Sequence, residues 1–238
     1  MGPLARPAAA QATSDPVAPR HDMRWGRTTF VLSEVLEFAP RGVERPLLYD
    51  LVAWTGGASR RLWAKADGAV GTRAGGTHGE YQLLYGRLIS PFFDFQIGVR
   101  ADLLSEGDRS ASRFGAVVGL QGLAPGWFEL EPSLFISTDG DVTLDLTGST
   151  DLYFTQRLVL QPRLEASAGR KDATEFGIGA GLRNASLALR ARYEVQRGFA
   201  PYVGVLWERR FGATADFARS AGGVEREVVL VAGLRLWR

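Results

Sequence analysis

The feature that most constrains this chain is an alternation of apolar and polar residues with a period of two, repeated along nearly its whole length. From Phe93 to Leu103, Phe93, Phe95, Ile97, Val99, Ala101 and Leu103 share one face. Asp94, Gln96, Gly98, Arg100 and Asp102 share the other. A helix would scatter both sets around its circumference, whereas a strand separates them. The pattern recurs where Phe128, Leu130, Leu134 and Ile136 oppose Glu129, Glu131 and Ser133, and where Val142, Leu144 and Leu146 oppose Thr143, Asp145 and Thr147. It recurs again where Leu158, Leu160 and Leu164 oppose Gln161, Arg163 and Glu165, and where Leu187, Leu189 and Tyr193 oppose Ser186, Arg190, Arg192 and Glu194. Pro132 and Pro162 fall inside such runs. Each lacks a ladder donor, which predicts a bulge or a locally missing bond.

The pattern predicts about twelve strands, with ten as the alternative. The approximate spans are 28–38, 47–56, 60–70, 79–89, 92–104, 112–123, 127–137, 141–154, 157–168, 185–196, 200–211 and 226–237. Connections after the even strands are tight, as at Ser90-Pro91 and Ala124-Pro125-Gly126. Most connections after the odd strands are longer: 39–46, 71–78, 105–111, 169–184 and 212–225, with Thr138-Asp139-Gly140 the exception. Short turns at one end and long loops at the other are the pattern of outer-membrane barrels, whose short end faces the periplasm. A soluble sandwich also alternates. Here, however, the polar face carries full charges that a dry core could not hold unpaired. Aromatics also gather near strand ends (Phe92, Trp127, Tyr153, Phe154, Phe199, Tyr202, Phe211, Trp237), as in interfacial girdles. The expectation is an all-β chain: a single closed antiparallel transmembrane β-barrel over residues 28–238, set in lipid of the cell outer membrane. A flexible Pro/Ala-rich N-terminal segment, residues 1–27, precedes it. Its Ala8-Ala9-Ala10-Gln11-Ala12 resembles the tail of a cleavage region without the apolar stretch that would come before one.

Composition narrows the chemistry. The absence of cysteine removes disulfides, thiolate metal sites and cysteine nucleophiles. No apolar run is long enough for a transmembrane helix. A formal net charge of +2, with no basic run interleaved with aromatics, gives no nucleic-acid groove. No nucleophile elbow, phosphate loop or paired-histidine zinc motif is present, so the chain reads as a non-enzyme.

Four blocks in fixed order carry a family resemblance: Ile89–Arg100 (ISPFFDFQIGVR), Gly119–Gly140 (GLQGLAPGWFELEPSLFISTDG), Thr155–Glu165 (TQRLVLQPRLE) and Arg192–Gly222. With Gly177–Ala185 between the last two, they resemble the copper resistance protein B family over residues 47–238, and more loosely over 28–46. The resemblance implies copper tolerance at the outer membrane, copper bound or moved, and a periplasmic multicopper oxidase as partner. There are two departures. Such proteins commonly carry a Met- and His-rich N-terminal extension, where this chain offers Met1, His21 and Met23. They also usually end on an aromatic residue, where this chain ends Trp237-Arg238.

Soft thioethers favour Cu(I) and imidazole suits Cu(II). The candidate copper ligands are therefore His21 and Met23 on the N-terminal segment, and His78 in a long loop beside Glu80. The polar faces put Asp94, Arg100, Glu129, Glu131, Asp145, Arg163, Glu165, Arg190 and Arg192 in the lumen, with Asp102, Glu194, Glu208 and Arg235. They form either a structural network of Arg–carboxylate pairs or a polar path for a cation. Glu129 and Glu131, one repeat apart, could hold a hard cation through oxygen, a donor that does not favour copper. The alternative function is a general pore or structural barrel without direct copper contact.

Overall fold

The computed structural model describes residues 27–39, 46–71, 76–107 and 109–238. The strands are β1 (Thr28–Phe38), β2 (Pro46–Gly56), β3 (Arg60–Gly71), β4 (Thr77–Ser90), β5 (Phe93–Glu106), β6 (Arg109–Ala124) and β7 (Phe128–Ser137). They continue with β8 (Val142–Ser149), β9 (Leu152–Tyr153), β10 (Leu158–Gly169), β11 (Gly181–Tyr193), β12 (Phe199–Arg210) and β13 (Arg226–Trp237). Sequence neighbours pair antiparallel, and β1 pairs with β13, so the sheet closes on itself. Segments β8 and β9 are two pieces of one stave. Both pair with β10 in a single register, Ser149 with Arg163 and Leu152 with Leu160, interrupted at Thr150 and Asp151. Among the described residues the barrel thus has twelve staves, and closure leaves no unpaired edge. The chain enters β1 and leaves β13 at the end carrying the short turns, where Val31 and Arg238 exchange backbone hydrogen bonds of 3.0 and 2.9 Å.

Alternation settles the facing. Ile97, Val99, Leu134, Leu144 and Leu189 are exposed on the outer face, while Asp94, Gln96, Arg100, Arg190 and Arg192 are buried within. A register slip of one residue would exchange the two sets. Tyr202, grouped by sequence with the aromatic girdle, lies instead inside the barrel and is buried. Several connections differ from expectation. β5 runs to Glu106 and β6 begins at Arg109, so the connection expected over 105–111 is confined to residues 107 and 108. The expected loop 71–78 shrinks to 72–76. The loop expected over 169–184 ends at Gly181, and residues 212–225 contain a helix, α1 (Gly212–Ser220). The residues expected as a flexible N-terminal segment lie outside the described residues, except Arg27.

The two prolines act differently. Across Pro132, the β6–β7 ladder omits two pairs but resumes in the same register, Gly119 with Ser133 and Gly122 with Leu130. That is a missing bond without a bulge. Pro162 pairs in register with Leu189, and the break falls on the neighbouring stave, between β8 and β9. True register shifts occur elsewhere, near Ser33 in β1, at Leu88 in β4 and between Ser167 and Ala168 in β10.

The facing has a measurable consequence. Arginine at Val99, in the middle of the outer apolar band, is expected to cost about 2–4 kcal/mol in a bilayer. Leucine there should cost under about 1.5 kcal/mol. Urea unfolding from phospholipid vesicles measures both, and equal stability of the two variants would contradict lipid contact at this face.

Candidate functional site: the barrel lumen

Strand register stacks the lumenal side chains of β2–β6 in layers. Toward the short turns, Trp54, Trp63, Leu84, Gly98 and Val117 follow one another as register partners. Trp63, Leu84 and Val117 form an apolar cluster with Val52, and Trp54 packs against it. Gly86 makes room for it: a Cβ there would lie 2.5 Å from the Trp63 Nε1. The next layer runs Val52, Lys65, Gln82, Arg100 and Gly115. Above it come Asp50, Asp67, Glu80, Asp102 and Arg113. Four carboxylates thus stand in an unbroken transverse row on four adjacent strands. His78 lies one layer further out, on the lumenal face of β4, paired in register with Ala69 and Leu104. The loop position expected for it from sequence is therefore corrected: β4 begins at Thr77, and His78 is a rim residue of the lumen.

The polar layers enclose a cavity of about 470 Å³. Ten carboxylates line it against six Lys and Arg side chains. Three bridges span it. The Arg163 Nη2 donates to the Asp50 Oδ2 at 2.7 Å, Lys65 Nζ to Glu131 Oε2 at 2.8 Å, and Arg100 Nη1 to Asp145 Oδ2 at 2.7 Å. Arg100 also pairs with Glu80, donates from Nε to Asp102 at 2.7 Å, and lies 4.5 Å above the Phe135 ring. Arg163 additionally holds Glu165 at 2.6 Å and Glu34 at 3.5 Å. Arg190 forks onto both oxygens of Glu37 at 2.9 Å. Nearer the short turns, Arg61 pairs with Asp94, and Arg192 with Asp151 at 2.7 Å.

Most sequence-derived lumenal residues therefore meet as ion pairs. The Glu129/Glu131 pair does not form a joint site: Glu131 is occupied by Lys65 and by the Gln121 Nε2 at 2.7 Å. Among the described residues, no group of three or more His, Asp and Glu side chains is arranged to hold a metal ion. His21 and Met23 lie outside the described residues. Asp67 is the one member of the carboxylate row with neither a hydrogen bond nor an ion pair among the described residues.

Sequence reading missed a cluster at the long-loop mouth. A bulge opposite Ser167 and Ala168 turns Arg183 inward, where it is 2 % exposed. It donates to Asp141 Oδ2 at 2.6 Å, Thr143 Oγ1 at 2.7 Å, the Lys171 carbonyl at 2.8 Å and the Gly179 carbonyl at 2.9 Å. Only glycine fits beneath it, since a Cβ at Gly169 would lie 2.0 Å from its guanidinium carbon. The Asp141 carboxyl also takes the Lys171 N–H at 2.9 Å and Arg113 at 3.2 Å. Burial alone would raise its pKa, but Arg183, the Lys171 amide and Arg113 outweigh that and hold it at about 2. Connection 170–180 is thereby pinned across the mouth, with Phe176 stacked 5.4 Å from Arg113 and Gly179 N–H bonded to Thr214 Oγ1 of α1 at 2.9 Å.

A closed antiparallel barrel with an apolar exterior and a charged lumen defines a porin-like β-barrel protein. The solved NanC porin has this fold, with a TM-score of 0.52 at 12% identity, covering 88% of this chain and 99% of that one. The KdgM porin aligns over 88% of this chain and 98% of its own, with a TM-score of 0.48 and 12% identity. Within that class the sequence is specific. Residues 27–238 match the family model described as copper resistance protein B precursor (CopB), and the chain belongs to that family. It is 38% identical over 209 residues to copper resistance protein B of Escherichia coli, covering 87% of this chain and 68% of that protein. A copper resistance protein B homolog of Pseudomonas syringae pv. tomato is 35% identical over 209 residues, covering 88% and 69%.

Proposed function

We propose that this protein is an outer-membrane barrel of copper resistance that binds or passes copper ions through its lumen. Its proposed partners are periplasmic copper-handling proteins, a multicopper oxidase among them. It acts without catalysing a reaction. Family membership supports the copper context, and the porin-like barrel supports the outer membrane. The observation that carries a cation path is the transverse row Asp50–Asp67–Glu80–Asp102 facing the cavity. Like charges directly opposite on neighbouring strands repel. Arginines neutralise three members of the row, and Asp67 is the place where a passing cation gains most. Oxygen donors are hard ligands and hold copper loosely. Such a row suits transit of Cu(II) better than storage, and His78 at the rim adds one imidazole at the entrance.

Copper titration of the purified barrel, with survival of a deletion strain carrying each variant, tests this reading. Asp67→Asn combined with Glu80→Gln is expected to weaken Cu(II) binding about tenfold, the effect of losing about 1.4 kcal/mol, and to lower copper tolerance. Glu129→Gln with Glu131→Gln should have a smaller effect, because Lys65 and Gln121 already occupy Glu131. A variant lacking residues 1–27 isolates the contribution of His21 and Met23. Copper binding and tolerance unchanged in all three would favour a general pore or structural barrel.

A further inference from the structure

On the outer face near the short turns, Arg60 of β3 and Arg87 of β4 are direct register partners. Both are exposed. They lie one row beyond the outward-facing Leu62, Tyr85 and Ile97, and Ile89 and the exposed ring of Phe92 lie further toward the turn. The pair therefore lies in the last rows of the outer face before the short turns, where bilayer headgroups begin. Neither arginine has an ion pair or side-chain hydrogen bond among the described residues. The nearby carboxylate of Asp94 faces the lumen and is taken by Arg61. By register, the outward-facing side chains next to the pair on the flanking strands are Thr55 on β2, opposite Leu62, and Phe95 on β5, opposite Arg87.

Two like charges directly opposite each other on paired strands destabilise the ladder unless a counter-charge sits between them. A second arginine pair sharpens the contrast. Arg209 and Arg226 are also outward-facing register partners, at the long-loop edge of the band. There Glu225 lies 3.8 Å from Arg209, so the protein supplies its own anion. At Arg60 and Arg87 it supplies none. Guanidinium groups recognise phosphate through paired N–H donors, and basic residues at a membrane surface are drawn to anionic lipid.

We propose that Arg60 and Arg87 together hold the headgroup phosphate of an anionic phospholipid in the leaflet at the short-turn end. This fixes the depth and tilt of the barrel. The inference rests on the membrane reading above. It concerns a site outside the lumen and is independent of copper.

The test uses the full chain reconstituted in vesicles, with lipids retained after extraction counted by native mass spectrometry. Mixtures of phosphatidylglycerol and phosphatidylcholine are the probe. The unaltered barrel is expected to retain phosphatidylglycerol with a preference of about thirtyfold, from about 1 kcal/mol per arginine. Arg60→Gln with Arg87→Gln should bring that preference to within about threefold, while Arg209→Gln with Arg226→Gln leaves it unchanged. Arg60→Lys with Arg87→Lys should retain part of it, because charge survives but the paired donors are lost. An unaltered barrel without preference, or a glutamine pair that keeps it, overturns the proposal. Loss of the preference to competing inorganic phosphate at equal concentration also overturns it, by assigning the pair to a free anion. A chain that enters neither kind of vesicle overturns the membrane reading and this proposal with it.

Discussion

Arg100→Ala is expected to destabilise the barrel by about 3–5 kcal/mol, the cost of leaving buried charges without their partner. Arg100 is 7 % exposed and binds three carboxylates at once: Glu80, Asp102 and Asp145. After its removal, Asp102 keeps Arg113 at 2.7 Å and Glu80 keeps the Gln82 amide at 2.5 Å. Asp145 keeps no cation among the described residues. The arginine also covers the Phe135 ring, so part of the loss is packing. Arg100→Lys should recover less than half, because an ammonium is a point charge that cannot reach three carboxylates along three directions. Arg100→Leu made together with Glu80→Leu and Asp145→Leu should recover most of the stability, since it removes the unpaired charges along with the cation. Urea unfolding of the folded barrel in micelles gives the order. A triple variant as unstable as Arg100→Ala would show that packing, not stranded charge, dominates at this position.

The barrel and its facing were legible in sequence because both depend on a local signal, the period-two pattern, which closure then only has to join. Residues such as Asp94, Arg100, Asp145, Arg163 and Arg190 were found for that reason: each interrupts an apolar run at every second place. Of the carboxylate row, only Asp102 was legible as a lumenal residue. Asp67 and Glu80 sit in β3 and β4, where alternation is weak beside Gly68 and Gly79. Their alignment with Asp50 and Asp102 also depends on the register of three hairpins, which no local window contains. A network of Arg–carboxylate pairs was one of the two readings open from sequence, but which residue meets which was not legible. Lys65 and Glu131 are 66 residues apart, and Arg190 and Glu37 are 153 apart. They meet because closure brings opposite walls together. Arg183 was hidden by a bulge, which shifts the phase of alternation by one residue so that a lumenal side chain reads as part of a loop. Likewise His78 read as a loop residue because β4 runs two residues further toward the long-loop end than its apolar pattern does.

Arg183→Ala should cost a similar amount, about 3–5 kcal/mol, but with a different signature, because its loss unlatches one end rather than the middle. It severs four hydrogen bonds that tie β8, connection 170–180 and Asp141 to β11. It also opens a void over Gly169, which has no side chain to fill it. Amide exchange in residues 170–180 is expected to accelerate far more than in β2–β5, where the ladder is untouched. Asp141→Asn should produce a weaker form of the same change, since the amide still accepts one hydrogen bond from Arg183 but brings no charge. The carboxyl titration gives an independent check. Asp141 is held at about 2, below its ordinary value of 3.8. The folded mouth therefore binds this proton less readily than the unfolded chain does. The resulting stabilisation is present above about pH 4 and disappears as the pH falls through about 2. In Asp141→Asn that acid-dependent component should be absent. The difference in stability between the native protein and this variant should therefore shrink as the pH is lowered across this window. If the difference stays constant, Asp141 does not carry the latch.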